Sequence, residues 1–212
     1  MQWTIGSPPH RTTTGLNNRK LLMWAFLGSD VLFFGTLIAT HLAYRGKSLT
    51  GPAEEILNIP VTSISTFVLL MSSLAMVLAL AAIQRGDMFQ LRLWLAATAT
   101  LGMGFIGFQM FEFAEFAHYG LTPRTNLFGS TFLIMTGFHG AHVTIGIMWL
   151  WSLVIASFKG QVSQERSLDV EIAGLYWHFV DIVWIAIFGI VYLVGAYGVE
   201  EAAHQALSSA AG

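Results

Sequence analysis

Five long apolar stretches dominate this chain, and they constrain its fold more than any other feature. They lie near residues 20–44, 59–83, 91–117, 129–156 and 172–197. A helix needs about 20 apolar residues to cross a hydrocarbon core of about 30 Å, and each stretch reaches that length. The sequence therefore predicts an all-α membrane protein that is a bundle of five transmembrane helices.

The composition agrees with a membrane protein. Of the 212 residues, 55% are hydrophobic and only 10% are charged, which leaves too few polar side chains to cover a water-soluble globule. Basic residues are spread singly along the chain, so the sequence predicts no nucleic-acid partner. The chain has no cysteine, which excludes disulfides, thiolate catalysis, iron–sulfur clusters and Cys-ligated zinc.

The polar segments divide the chain into three parts. Residues 1–19 are polar and turn-prone and lack the pattern of a cleaved signal peptide, so we expect a cytoplasmic arm. Residues 20–197 form the expected transmembrane domain, and residues 198–212 form a short outer tail. The loops between the stretches are too short to hold a soluble catalytic domain.

The basic residues set the expected orientation. Positive charge concentrates in cytoplasmic loops. Alternate crossings place seven of the ten Lys and Arg residues on one side of the membrane, and that side is therefore expected to be the cytoplasm. The N-terminus then lies in the cytoplasm and, after five crossings, the C-terminus lies outside. The seven residues are Arg11, Arg19, Lys20, Arg85, Arg92, Lys159 and Arg166.

Five ionisable side chains fall at membrane depth: Asp30, His139, His142, His178 and Asp181. A charge at the centre of a spanning helix costs roughly 3 kcal/mol on insertion scales, so such residues indicate function. His139 and His142 are three residues apart, as are His178 and Asp181, so the two members of each pair share a helix face. We expect a buried polar cluster that ties the first, fourth and fifth helices together, accepts protons, or does both. The alternative is that each His binds a backbone carbonyl of a neighbouring helix.

The third helix carries acids toward its outer end. Glu112 and Glu115 are expected to be outer-interface charges that face water, lipid headgroups or a partner subunit. Glu115 and His118 match one half of the paired Glu-x-x-His pattern of di-iron bundles, but the second half is missing. They also lie well above the midplane His residues and cannot share an ion with them. The sequence therefore predicts no metal site and no catalytic residue.

Glycines recur on the third and fourth helices. Small residues allow close approach in membrane bundles, so the sequence predicts that these positions serve helix packing. The glycines are Gly102, Gly104, Gly107, Gly137, Gly140 and Gly146.

Several longer motifs resemble one known family. They are Gly129-Ser-Thr-Phe132, Thr136-Gly-Phe-His-Gly-Ala-His-Val143, Tyr176-Trp-His-Phe-Val-Asp-Ile-Val-Trp184, Ser29-Asp-Val-Leu-Phe-Phe34 and the segment from Gln109 to Glu115. In order and spacing they are similar to subunit III of the haem–copper respiratory oxidases, which include cytochrome c and quinol oxidases. The resemblance covers about Lys20 to Tyr197. Asp at position 30, where mitochondrial-type members have Glu, and the five-helix length resemble the short bacterial form.

The resemblance implies an accessory subunit of a proton-pumping terminal oxidase that reduces oxygen to water. Its partners would be subunit I, which holds haem and copper, subunit II, and membrane lipids, with bound phospholipid. It implies no cofactor in this chain, a supporting role in proton uptake, and protection of the catalytic subunit during turnover. The expected location is the prokaryotic cytoplasmic (inner) membrane.

Two other functions stay open at this point. One is a relative of subunit III that accompanies a nitric oxide reductase. The other is an independent proton channel or small transporter that uses Asp30, the two His residues of the fourth helix and Asp181 as a relay.

Overall fold

The structure, a computed structural model, describes residues 17–44, 47, 57–164 and 167–193. Its five α-helices are α1 Asn18–Tyr44, α2 Ile59–Gln84, α3 Met88–His118, α4 Leu127–Phe158 and α5 Ser167–Ile187, and α5 continues as a π-helix over Phe188–Leu193. Each is long and apolar enough to cross a membrane, which confirms the predicted five-helix bundle.

Four of the five helices begin two to five residues before the predicted apolar stretches, and α2 begins at the predicted residue. Side chains of Asn58, Asp87 and Asn126 accept hydrogen bonds from the first turns of α2, α3 and α4, and these caps favour helix starts in polar sequence. α5 begins five residues before its apolar stretch, at Ser167. Residues 18 and 19, expected in the arm, belong to α1, whereas residues 1–16 and the tail 198–212 lie outside the described part.

The hairpin of α2 and α3 packs against α4 and α5, and α1 lies on the α4–α5 side of the bundle. The residues that α1 buries, Leu27, Asp30, Phe34 and His41, repeat at intervals of three, four and seven. This spacing makes a narrow stripe along one helix face. α1 therefore leaves most of its surface exposed.

Trp177 of α5 fills the centre of the bundle and is fully buried. It lies between Gly102 of α3 and Gly146 of α4, where an added Cβ would come within 2.6 Å and 2.8 Å of the indole ring. Its Nε1 donates to Ser72 Oγ of α2 over 3.0 Å. These two glycines therefore make room for a large side chain, and Trp177 joins four helices.

α2 presents further hydroxyl groups to α5. Trp184 Nε1 donates to Thr66 Oγ1 over 2.9 Å, and His178 Nδ1 is hydrogen-bonded to Ser73 Oγ over 2.6 Å. With the bond at Trp177, three ring nitrogens of α5 each bind one hydroxyl of α2. We call this set of six residues the α2–α5 seam.

Ion pairs join the first turns of α1 and α5. Arg19 Nη1 lies 2.7 Å from Asp169 Oδ1, and Lys20 is paired with Glu171. The N-terminal ends of α1 and α5 therefore lie together at one end of the bundle.

Candidate functional site

Asp30 of α1 lies against His142 of α4. Asp30 is only 9% exposed, and its Oδ2 is 3.7 Å from His142 Nε2. His142 Nδ1 is 2.8 Å from the Phe138 carbonyl oxygen, so Nδ1 carries a hydrogen. In a neutral ring Nε2 is then an acceptor, and the pair is favourable when a proton lies on either Asp30 or Nε2. A proton on either group therefore makes this contact between α1 and α4 favourable.

Tyr176 of α5 completes this group. Its hydroxyl donates to the His142 carbonyl oxygen over 2.9 Å, and its side chain is buried. α1, α4 and α5 thus meet around one acid, one imidazole and one phenol. We call Asp30, His142 and Tyr176 the Asp30 site.

His139 lies elsewhere in the core. It is fully buried, and its Nε2 is 3.2 Å from the Val180 carbonyl oxygen of α5. Its ring stacks on Trp184 with centroids 4.9 Å apart. Within the described part of the chain its Nδ1 has no hydrogen-bond partner. His139 therefore matches the alternative in which a His binds a carbonyl of a neighbouring helix.

His178 and Asp181 face α2 and not α1. His178 is bonded to Ser73, and Asp181 is buried beside the same hydroxyl. Neither carboxylate oxygen of Asp181 has a hydrogen bond of good geometry to any described residue. Residues two apart on a helix do not share a face, so Tyr176 and His178 point in different directions. The five residues expected in one cluster are therefore divided: Asp30 and His142 lie in the Asp30 site, His139 lies in the core, and His178 lies in the α2–α5 seam with Asp181 beside it.

Glu112 departs from its expected place at the surface. It is only 2% exposed and is hydrogen-bonded to the Thr62 hydroxyl of α2. It lies three residues after Gln109 and four before Phe116, on the buried face of α3. That face turns inward because its large apolar residues pack against α2 and α4. Glu115 is half-buried beside it.

In the described part of the chain, the His, Asp and Glu side chains do not gather into a metal-binding group. Among residues 17–44, 57–164 and 167–193, no three His, Asp or Glu side chains converge in a way that could hold a metal ion. The three midmembrane histidines each have a ring nitrogen bound to a different helix position, at Val180, Phe138 and Ser73.

Comparison with known proteins decides the family. Residues 10–196 match the family described as cytochrome c oxidase subunit III. The chain belongs to this family. It is 39% identical over 197 residues to cytochrome c oxidase subunit 3 of Bacillus sp. (strain PS3), covering 92% of this chain and 95% of that protein. The match confirms the resemblance to subunit III of the haem–copper oxidases.

Quinol oxidase subunits are almost as similar. The chain is 37% identical over 190 residues to quinol oxidase subunit 3 of Bacillus subtilis (strain 168), covering 89% of this chain and 93% of that protein. A probable quinol oxidase subunit 3 of Staphylococcus aureus (strain USA300) is 36% identical over 191 residues, covering 87% and 92%. Family membership thus identifies a terminal oxidase subunit, and both electron donors stay open.

Some residues of these contacts are not singled out by the sequence pattern. The hydroxyls of α2 and the amide of Gln109 lie in apolar stretches and carry no charge. Their signal is spacing, since Thr62, Thr66, Leu69 and Ser72 recur at three and four residues and all lie on the buried face of α2. Polar residues on such a stripe indicate hydrogen bonds between helices.

Proposed function

We propose that this chain is the non-catalytic accessory subunit III of a proton-pumping terminal oxidase that reduces oxygen to water. The observation that carries the proposal is the family match over residues 10–196. The hydrogen bonds of His139 to the Val180 carbonyl oxygen and of His178 to Ser73 support it, because each of them joins two helices. Its role is to stabilise the catalytic subunit and to prolong its activity during turnover.

In this proposal haem and copper belong to subunit I, which carries out the reaction, and this chain packs with subunits I and II. It lies in the prokaryotic cytoplasmic membrane with its N-terminus in the cytoplasm. The Lys and Arg distribution supports this orientation.

Bound phospholipid is the second part of the proposal. A cleft of about 530 Å³ lies between α1 and α5 near their first turns, with Arg19 at its edge. Its other walls are apolar, formed by Leu22, Met23, Phe26 and Ile172 among others. Arg19 pairs with Asp169 through Nη1, and its other guanidinium nitrogens beside the apolar cleft suit a lipid phosphate with its acyl chain alongside.

Support of proton uptake is the third part, and the Asp30 site is its candidate location. The Asp30 and His142 pair can hold a proton within the membrane, and an intramembrane acid next to an imidazole is a typical element of proton relays. Tyr176 fixes the α4 backbone at the same level.

Purification by a tag on this chain tests the proposal. We expect the catalytic oxidase subunit to co-purify, with haem spectra of an oxygen-reducing oxidase, and we expect the chain purified alone to show no haem. Haem and oxygen reduction in the isolated chain would overturn the proposal. A co-purifying nitric oxide reductase would assign the chain to that complex.

A liposome assay separates the proposal from an independent proton channel. We expect vesicles that contain the isolated chain to leak protons no faster than empty vesicles. A leak that is abolished by Asp30→Asn would favour the channel.

A further inference from the structure

The accessible face of α5 carries one polar residue between apolar ones. Leu175, His178, Ile182 and Ile185 follow one another at intervals of three and four residues, so they lie along one side of the helix. Each of them keeps accessible surface, and Ile182 and Ile185 are 64% and 47% exposed. We call these four residues the α5 stripe.

The α5 stripe lies between α1 and α2. On one side of it Gly174 lies against α2, since an added Cβ would be 3.3 Å from Met76 Cε. On the other side Ile172 lines the cleft that α5 forms with α1. The opposite side of α5 packs against α4. The α5 stripe is therefore the side of this helix that its own chain covers least.

His178 uses only one of its ring nitrogens within the chain. Its Nδ1 is hydrogen-bonded to Ser73 Oγ over 2.6 Å. Its Nε2 has no hydrogen-bond partner in the described part of the chain and is not enclosed by neighbouring atoms. The bond at Nδ1 orients the ring and leaves Nε2 accessible at the α5 stripe, with its hydrogen-bonding capacity unused.

The depth of His178 restricts what can bind it. At a rise of 1.5 Å per residue, His178 lies about 2 Å from the midpoint of the span Ser167–Tyr192, and Ser73 lies about 2 Å from the midpoint of α2. Lipid headgroups are about 15 Å away, at the edge of the hydrocarbon core. Acyl chains have no hydrogen-bonding group, and an unpaired polar group is unfavourable among them. A polar side chain on another membrane-spanning helix reaches Nε2 at this depth.

We propose that the α5 stripe is the contact surface for a transmembrane helix of another subunit of the oxidase, and that a hydroxyl or amide side chain of that helix hydrogen-bonds His178 Nε2. Hydroxyl and amide groups both donate and accept, so they suit either tautomer of the ring. Ile182 and Ile185 pack against apolar side chains of the same helix. This assignment rests on the proposed function of the chain as a subunit of a larger complex.

Two substitutions separate the roles of the two ring nitrogens. An Asn amide at position 178 takes the place of Nδ1, so His178→Asn keeps a partner for Ser73 and removes the group at the stripe. A Gln amide reaches the place of Nε2, so His178→Gln keeps a polar group at the stripe. In the intact tagged complex we expect His178→Asn to lower several-fold the fraction of this chain that stays bound after detergent extraction, and His178→Gln to lower it less.

Thermal unfolding of the isolated chain in detergent is the control for a purely structural role. We expect the His178→Asn chain to unfold close to the temperature of the unsubstituted chain, because the bond to Ser73 is kept. Retention of His178→Asn in the complex equal to that of the unsubstituted chain would overturn the proposal.

Single cysteines identify the occupant of the stripe, because the chain has none of its own. Ile182→Cys places a thiol one turn from His178, and Met103→Cys, at the midpoint of α3 and 44% exposed, is the control at similar depth. Each variant of the intact complex is labelled with a photoactivatable maleimide and irradiated, and the products are identified by mass spectrometry. We expect cross-links from Ile182→Cys to another subunit, several-fold above the control.

Cross-links only to lipid, cross-links to a second copy of this chain, or equal yields from the two positions would overturn the proposal. Failure of the proposed function looks different, because no oxidase subunit would then co-purify with the unsubstituted chain.

The hydrogen bond is tested by combining the two experiments. In an Ile182→Cys background we expect His178→Asn to lower the yield of the cross-link to the partner subunit, and His178→Gln to keep more of it. An undiminished yield with His178→Asn would show that His178 Nε2 does not take part in the contact.

Discussion

The α2–α5 seam and the Asp30 site both place polar groups inside the membrane, yet they hold their helices differently. The seam has three hydrogen bonds of 2.6 to 3.0 Å between ring nitrogens and hydroxyls. At the Asp30 site the contact between α1 and α4 side chains is 3.7 Å long, beyond hydrogen-bond range. In the most apolar segment of α1, 17% of the residues are buried, compared with 50% in the corresponding segment of the fifth helix.

The difference separates the bundle of α2 to α5, which we call the scaffold, from α1, which we call the attached helix. The α2–α5 seam consists of hydrogen bonds within the chain, so it supports the bundle whether or not a proton or partner is present. α1 is held by a narrow stripe with two polar members. His41 is hydrogen-bonded to Thr131 of α4 over 2.9 Å, whereas Asp30 pairs favourably with His142 only when one of the two carries a proton. We therefore expect the contact between α1 and α4 at Asp30 to respond to protonation more than the α2–α5 seam does.

The largest expected effect is on the scaffold. Trp177→Ala removes a fully buried ring that contacts Gly102 and Gly146, and it leaves Ser72 without its donor. We expect a loss of about 3 to 5 kcal/mol in the free energy of unfolding, measured by denaturation in detergent. Trp24→Ala, on the exposed surface of α1, is the matched control and should cost far less. Equal losses would break the distinction between scaffold and attached helix.

Glu112 should show the next largest effect. Glu112→Ala removes one of two acceptors of the Thr62 hydroxyl, which keeps its bond to the Asn58 carbonyl oxygen, and loss of a buried partner costs about 1 to 3 kcal/mol. Glu112→Gln keeps an acceptor and should retain most of the stability. Thermal unfolding of the two variants side by side measures the difference. If both were as stable as the unsubstituted chain, the contact between α2 and α3 would contribute little to the scaffold.

Asp30→Ala tests the attached helix. Because the contact with His142 is long, we expect a loss of about 1 kcal/mol or less in the isolated chain. In the assembled oxidase we expect weaker assembly or a faster decline of oxygen uptake, with the initial rate largely kept. The oxygen-uptake time course measures both, and Asp30→Asn is the conservative comparison. Immediate and complete loss of activity in a fully assembled complex would contradict this account.

The smallest effect on the free energy of unfolding is expected in the first turn of α1. Lys20→Ala removes a half-exposed ion pair with Glu171, and such pairs contribute about 0 to 1 kcal/mol. Salt screens partly exposed charges, so the difference should shrink as ionic strength rises. Unfolding at low and high salt measures it. A loss as large as that of Trp177→Ala would show that α1 is anchored as firmly as the scaffold.

Particular residues show how far the sequence predicts this structure. Length and hydropathy predict the five helices, and the motifs around Asp30 and His142 predict the family. The inward burial of Glu112 and the facing of His178 toward α2 depend on helix rotation. When a helix is apolar on all sides, its sequence gives little indication of which face turns toward the bundle, because no face is distinctly polar. Side-chain spacing at Thr62, Thr66 and Ser72 carries part of that information.

The central claim is that this chain supports a catalytic subunit and carries no redox centre itself. The most direct measurement compares the purified oxidase with and without this chain, following haem content per catalytic subunit and oxygen uptake over repeated turnover. The account predicts unchanged haem content and a similar initial rate, with earlier loss of activity in the depleted enzyme. Loss of haem together with the chain, or an initial rate of zero in a depleted enzyme that keeps its haem, would contradict it.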